Sequence, residues 1–152
     1  MVGADLSMGM LRQAVGKAIG SQVCWLQAEA GQLPLADASF DWVVCANSFH
    51  YFRQPAAALR EMSRVLRPGG SLVLVDWCDD YLSCQLCSWW LRLTDPAFYR
   101  TYSLDECQAL VEQAGLRVVG CGSRVAGRDS FDSTLNPQPS PLNPRPEPTP
   151  LL

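Results

Sequence analysis

The 152 residues suit a single domain, and the 48% apolar and 18% charged fractions fit a packed core rather than a disordered chain. A net charge of −3 gives no broad attraction to phosphate backbones, so nucleic acid is not an expected partner. No apolar run approaches the roughly 18 residues needed to span a bilayer, and no basic region leads an apolar run at the start, so neither a membrane span nor a signal peptide is read. Seven cysteines, an odd number without a secretion signal, point to reduced thiols and a cytoplasmic location.

In chain order, Val2-Gly3-Ala4 reads as the end of a strand that stops at Asp5. Ser7 can cap the helix that follows, and Leu11, Ala14, Val15 and Ala18 recur on one helical face up to Gly20. Val23 to Leu26 is a short strand-type run, residues 29–39 form a loop, and Phe40 to Ala46 (FDWVVCA) is a second strand. That run lacks strict alternation, as a parallel strand covered on both faces would.

Pro55 suits a first helical turn, Leu59, Met62 and Leu66 line one face, and Arg67-Pro68-Gly69-Gly70 stops the helix. Ser71 to Val75 (SLVLV) is a strand ending at Asp76.

Residues 77–102 concentrate Trp and Tyr and are long for a plain connection, so they are expected to contain helix and to do more than link. Ser103 to Glu106 is a capping box, and Leu104, Cys107, Leu110, Val111 and Ala114 give the next helix its apolar face, with Gly115 at its end. Leu116 to Cys121 reads as a further strand. Residues 129–152 are Pro-rich without aromatics after Phe131 and read as a solvated, disordered tail.

The order β-α-β-β-α-β-insert-α-β implies an α/β fold, Rossmann-like, with a mostly parallel sheet and helices on both faces. Ligands of such sheets sit at the carboxyl ends of the strands. Asp5, Asn47 to His50, and Asp76 with Trp77 all fall there. On position alone, Asp5 is equally a ribose-binding carboxylate and an acid favoured by a helix start. Cys84 and Cys87 with Cys78 nearby suggest a metal site only superficially, since no fourth ligand is evident, and no metal is expected.

Two longer segments add specificity: LPLADASFDWVV (Leu33 to Val44) and LREMSRVLRPGG (Leu59 to Gly70). In this order and spacing, the chain resembles the class I S-adenosylmethionine-dependent methyltransferases of the small-molecule, type 11 subgroup, over residues 2 to about 121. The resemblance implies S-adenosylmethionine as cofactor and a small-molecule acceptor. It places Asp5 on the ribose hydroxyls, Glu29 where the family usually has Asp beside the adenine amine, the Ala30 N–H on the adenine ring, and Asn47 near the methionine part. His50 falls at the lip between cofactor and substrate, where it is either a general base or a structural histidine bonded to a loop carbonyl. His50, Tyr51, Trp77, Trp89 and Tyr99 are the expected substrate-pocket residues, with residues 77–102 as a substrate cover.

The family's Gly-rich turn, expected about twenty residues before Asp5, is not in the sequence, so the domain (residues 1–128) is expected to be incomplete at its N-terminus and impaired when alone. Its sheet is expected to split into two halves with unpaired edges. The competing reading is a non-catalytic remnant of such a domain that acts by binding a partner. The acceptor and the oligomeric state are not legible.

Overall fold

The computed structural model describes residues 1–17 and 22–120. Ala18 and Gly20 of the first helix, Cys121 and the Pro-rich tail lie outside the described residues, as does the boundary expected at residue 128. Met1–Val118 form one compact unit.

β1 (Val2–Asp5) leads into α1 (Met8–Lys17), β2 (Cys24–Gln27), β3 (Phe40–Ala46), a 3₁₀ turn (Phe49–Tyr51), α2 (Pro55–Val65), β4 (Leu66–Val75), α3 (Leu82–Thr94) and α4 (Leu104–Gln113). The Ser7 hydroxyl accepts the Met10 N–H and starts α1 as the sequence suggests. Pro55 opens α2. The Ser103–Glu106 capping box is formed in both directions at the head of α4, and Gly115 follows that helix at φ +80°, where a Cβ would be strained.

Both strand ladders among the described residues are parallel. β1 pairs with β2, β3 pairs with β4, and among the described residues the two pairs are separate two-stranded sheets. This matches the split expected from the sequence. Gly3 is needed where the Trp25 ring of β2 lies across β1, since a Cβ there would stand 2.5 Å from a ring carbon.

Two sequence expectations are corrected. The fourth strand begins at Leu66 rather than Ser71. Phe40 pairs with Leu66 and Trp42 with Ser71, so the Arg67-Pro68-Gly69-Gly70 turn is an excursion within the ladder rather than a stop before it. Gly69 takes φ +81°, and a Cβ on Gly70 would press on the Asp41 and Arg67 carbonyls. The strand expected over Leu116 to Cys121 does not form over residues 116–120, which join no ladder. Apolar residues make a strand only beside an edge that receives them, and the Leu116 N–H instead goes back to the Val111 carbonyl at the end of α4.

The core lies between β3–β4, α2 and α4. Leu59, Val65, Ala58 and Phe49 are buried to within 1%. Phe49 packs edge-on to Phe52 and meets Tyr102 at 5.1 Å between ring centres, which ties the end of the insert to the turn after β3. Val43, Cys45, Leu72 and Leu74 face this core. The alternate residues Trp42, Val44, Val73 and Val75 are exposed, as the pleat requires of a strand pair covered on one face.

Leu59→Ala is expected to cost about 2–5 kcal/mol, the usual penalty for emptying a closed site. Val44→Ala, on the open face, is expected to cost less than about 1 kcal/mol. Urea unfolding of both variants checks the contrast.

Candidate functional site

Parallel pairing puts the carboxyl ends of partnered strands on the same edge. Asp5 ends β1, Glu29 and Ala30 follow β2, Asn47 follows β3, and Asp76 follows β4. Asn47 turns the chain at φ +49°, a left-handed conformation that Asn tolerates better than most residues, while its N–H stays bonded to the Val75 carbonyl at 2.8 Å.

Asp5 accepts the Ser7 N–H on one carboxylate oxygen at 2.7 Å. The helix-start role therefore holds, but it occupies one oxygen of two. The other oxygen has no partner among the described residues, and neither do the Glu29 carboxylate and the Asn47 amide. These groups fit the ribose hydroxyls, the adenine amine and the charged methionine end of S-adenosylmethionine in chemical type: acceptors for hydroxyl and amine donors, and an amide for either.

The loop that carries Glu29 and Ala30 is anchored from α2. Arg64 donates to the Leu33 and Leu35 carbonyls and pairs with Asp37 and Glu61, while Glu61 also accepts the Leu33 N–H at 2.8 Å. Gly31 lies against Ala57, with room for no more than a contact-distance Cβ. This connection joins the segment after β2 to the helix that packs on β4. The bond from Arg64 and the Leu33 N–H outweigh the cost of partial burial and hold the Glu61 carboxyl down at about 2.

His50 sits at the centre of the most constrained part of the edge. Its ring Nδ1 lies 2.6 Å from Asp76 Oδ1, with the side chains only 7% and 10% exposed. Its backbone N–H donates to Asp76 Oδ2 at 3.1 Å, and the Trp77 N–H donates to Oδ1. The His50 carbonyl accepts both the Tyr99 and Arg100 N–H groups. The ring lies 4.1 Å from that of Tyr51 and 5.8 Å from that of Phe98. Burial would raise the Asp76 carboxyl, but the His50 ring, the Trp77 N–H and the His50 N–H outweigh it and keep the carboxyl below its ordinary value. Burial and the bond to Asp95 push the Tyr51 phenol up.

Of the expected pocket residues, the structure gathers His50, Tyr51, Trp77 and Tyr99 around this node. Trp89 lies 65% exposed on α3, with no ring contact or hydrogen bond to the node. Asp76, an acid directly after the most strand-like run, is placed by the sequence at the ligand-binding strand ends but without a role, and Phe98 is marked there only as one aromatic of residues 77–102; the Arg64–Glu61 anchor is not legible in it. Among the described residues six cysteines are free, and no cluster of three or more metal-binding side chains occurs.

Residues 1–74 match the family described as "Methyltransferase domain". An uncharacterized protein of Escherichia coli K12, YafE, is 34% identical over 125 residues, covering 78% of this chain and 59% of the relative. The ubiquinone/menaquinone biosynthesis C-methyltransferase UbiE of Syntrophotalea carbinolica is 42% identical over 79 residues, 51% of this chain and 33% of the relative. The crystal structure of YcgJ from Bacillus subtilis superposes with a TM-score of 0.66 at 32% identity, covering 74% of this chain and 50% of that one. Residues 1–74 are thus similar to a methyltransferase domain, and an S-adenosylmethionine-dependent methyltransferase of Thermotoga maritima shares the fold at a TM-score of 0.67 and 25% identity, over 75% of this chain and 53% of that one. The chain spans between about a third and three fifths of the length of the two curated relatives.

The sign of the Glu61 shift gives a test. A carboxylate held at about 2 instead of 4.5 adds stability that is complete above pH 4.5 and is lost as pH falls toward 2. Wild type is expected to lose melting temperature more steeply than Glu61→Gln across that window, and to meet the variant at its acid end. Parallel melting curves in the two proteins would contradict this.

Proposed function

We propose that this chain is a methyltransferase domain that transfers the methyl group of S-adenosylmethionine to a small-molecule acceptor. The observation that carries this reading is the set of polar residues at the carboxyl ends of two parallel strand pairs: Asp5, Glu29 with Ala30, Asn47, and Asp76 with His50. Asp5 would hold the ribose hydroxyls, Glu29 the adenine amine, the Ala30 N–H the adenine ring, and Asn47 the methionine part. The cofactor's sulfonium supplies an electrophilic methyl group, so the protein's task is to align the acceptor and keep water away. His50, held rigidly between Tyr51 and Phe98, is the group placed to receive a proton from the acceptor.

Several observations support the small-molecule reading. UbiE is named for quinone biosynthesis. Tyr51, Trp77 and Tyr99 are all partly exposed near His50 and would wall an apolar or aromatic acceptor, with residues 77–102 as the cover. Among the described residues no helix is long and apolar enough to cross a membrane, and the free cysteines agree with a reducing, cytoplasmic setting. The domain is read as residues 1–128, followed by a tail of residues 129–152.

The cofactor's hold in this chain is weak. The residues read as holding ribose and adenine follow one strand pair, those read as holding the methionine part and the acceptor follow the other, and among the described residues the two pairs share no strand ladder. Saturation-transfer NMR, which detects weak ligands, is expected to show S-adenosylmethionine binding with Kd above about 100 μM. Asp5→Ala is expected to weaken it by about tenfold or more, the value of one charge-assisted hydrogen bond. No transfer from the wild-type chain would contradict the cofactor reading, and low-micromolar affinity would contradict the weak hold.

A further inference from the structure

We propose, independently of the methyl-transfer reading, that the outer face of α3 (Leu82–Thr94) is a self-association surface: a second copy of this chain lays its own α3 against it, antiparallel, to form a two-fold dimer.

A surface helix of a globular domain ordinarily turns its large apolar side chains inward. α3 does the reverse. Its one buried residue is Ser88, whose hydroxyl lies 2.8 Å from the Cys84 carbonyl and 2.9 Å from the Thr101 hydroxyl. Cys84 and Leu91, a turn to either side of it, are half-buried. Leu82, Leu86, Trp89, Trp90 and Leu93 are 60–72% exposed.

The spacing of the exposed residues identifies the kind of partner. Leu82, Leu86, Trp89 and Leu93 follow one another at intervals of four, three and four positions. That is the d-a-d-a seam of a heptad pattern, a narrow stripe suited to one facing helix. A lipid surface instead favours a broad apolar face bordered by cations, and α3 holds a single charged residue, Arg92, in a chain of net charge −3. The area is also right for a second copy. The five exposed residues present roughly 700 Å², against the ~800 Å² per partner that a stable interface buries.

Side-chain size sets the direction. With the two-fold axis level with the peptide between Cys87 and Ser88, Leu82 meets Leu93 of the second copy and Leu86 meets its Trp89. Trp90 then flanks the seam opposite Ser83, an exposed small residue. Large groups thus meet smaller ones along the seam, as dense packing requires. Parallel docking would set Trp89 against Trp89 in one crowded layer between leucine layers. Antiparallel docking also opposes the two helix dipoles.

Sedimentation equilibrium of the full chain at about 100 μM tests this. The expected mass is twice the 16.7 kDa of one chain. Leu86→Lys and Trp89→Glu each place unpaired charges in the central layers, and each alone is expected to weaken association by about tenfold or more. Mixed in equal amounts, the two variants are expected to dimerise again, because residue 86 of one copy faces residue 89 of the other only in the antiparallel arrangement. Both positions are already exposed, and circular dichroism confirms that each variant is folded. Val44→Lys, on the open face of β3–β4, is expected to remain dimeric. A wild-type chain that is monomeric at this concentration, a dimer that survives Leu86→Lys or is lost in Val44→Lys, or a mixture that stays monomeric overturns the proposal. Flotation with phosphatidylcholine vesicles separates the lipid alternative: vesicle binding in place of self-association, lost in Trp89→Glu, overturns it too.

Discussion

The local structure of the site depends on one carboxylate. Asp76 stands at the first residue past β4 and takes three donors from two different segments: the His50 ring, the His50 backbone and the Trp77 backbone. Each is a hydrogen bond to an ion in a half-buried place, the kind that is short, directional and costly to leave unmade. Through His50 the same node reaches the insert, because Tyr99 and Arg100 bond to the His50 carbonyl. Removing the carboxylate would leave the turn after β3, the start of the insert and its end without their common anchor.

A second anchor acts on the other strand pair. Arg64 of α2 holds the loop after β2 by its carbonyls and by two acids, so the segment with Glu29 and Ala30 is positioned by a helix that belongs to the core of β3–β4. This matters because the two strand pairs share no ladder among the described residues. What relates them is side-chain bonding from one helix to one loop, which is weaker and more easily displaced than a continuous sheet. The open face carrying Trp42, Val44, Val73 and Val75 belongs to the same picture: an α/β layer with one face covered over these strands.

Much of this was legible in the residues. Residue type and capping chemistry located β3, α2 and α4 because each has a local cause: FDWVVCA has β-branched and aromatic residues, Pro55 presets a helical start, and Ser103 with Glu106 caps another. The placement of Asp5, Asn47 and Asp76 at one kind of strand end followed from parallel topology. What failed depended on partners distant in sequence. Leu116 to Cys121 has the composition of a strand, but over residues 116–120 it joins no ladder. The Arg67-Pro68-Gly69-Gly70 turn has the composition of a terminator, yet Leu66 before it pairs with Phe40. The pairing of His50 with Asp76 spans 26 positions, and no periodicity reports such a contact. Trp89, chosen for its aromatic character, shows the converse: composition marked it, but the helix turns it outward.

The central claim is that the carboxyl ends of these four strands form the cofactor's binding edge. Backbone amide shift mapping of the ¹⁵N-labelled chain with added S-adenosylmethionine tests it most directly. The largest changes are expected at residues 5–7, 29–31, 47–50 and 76–77. Changes concentrated instead in the groove lined by Met8, Leu11, Val15 and Trp25, with those four segments unmoved, would contradict it.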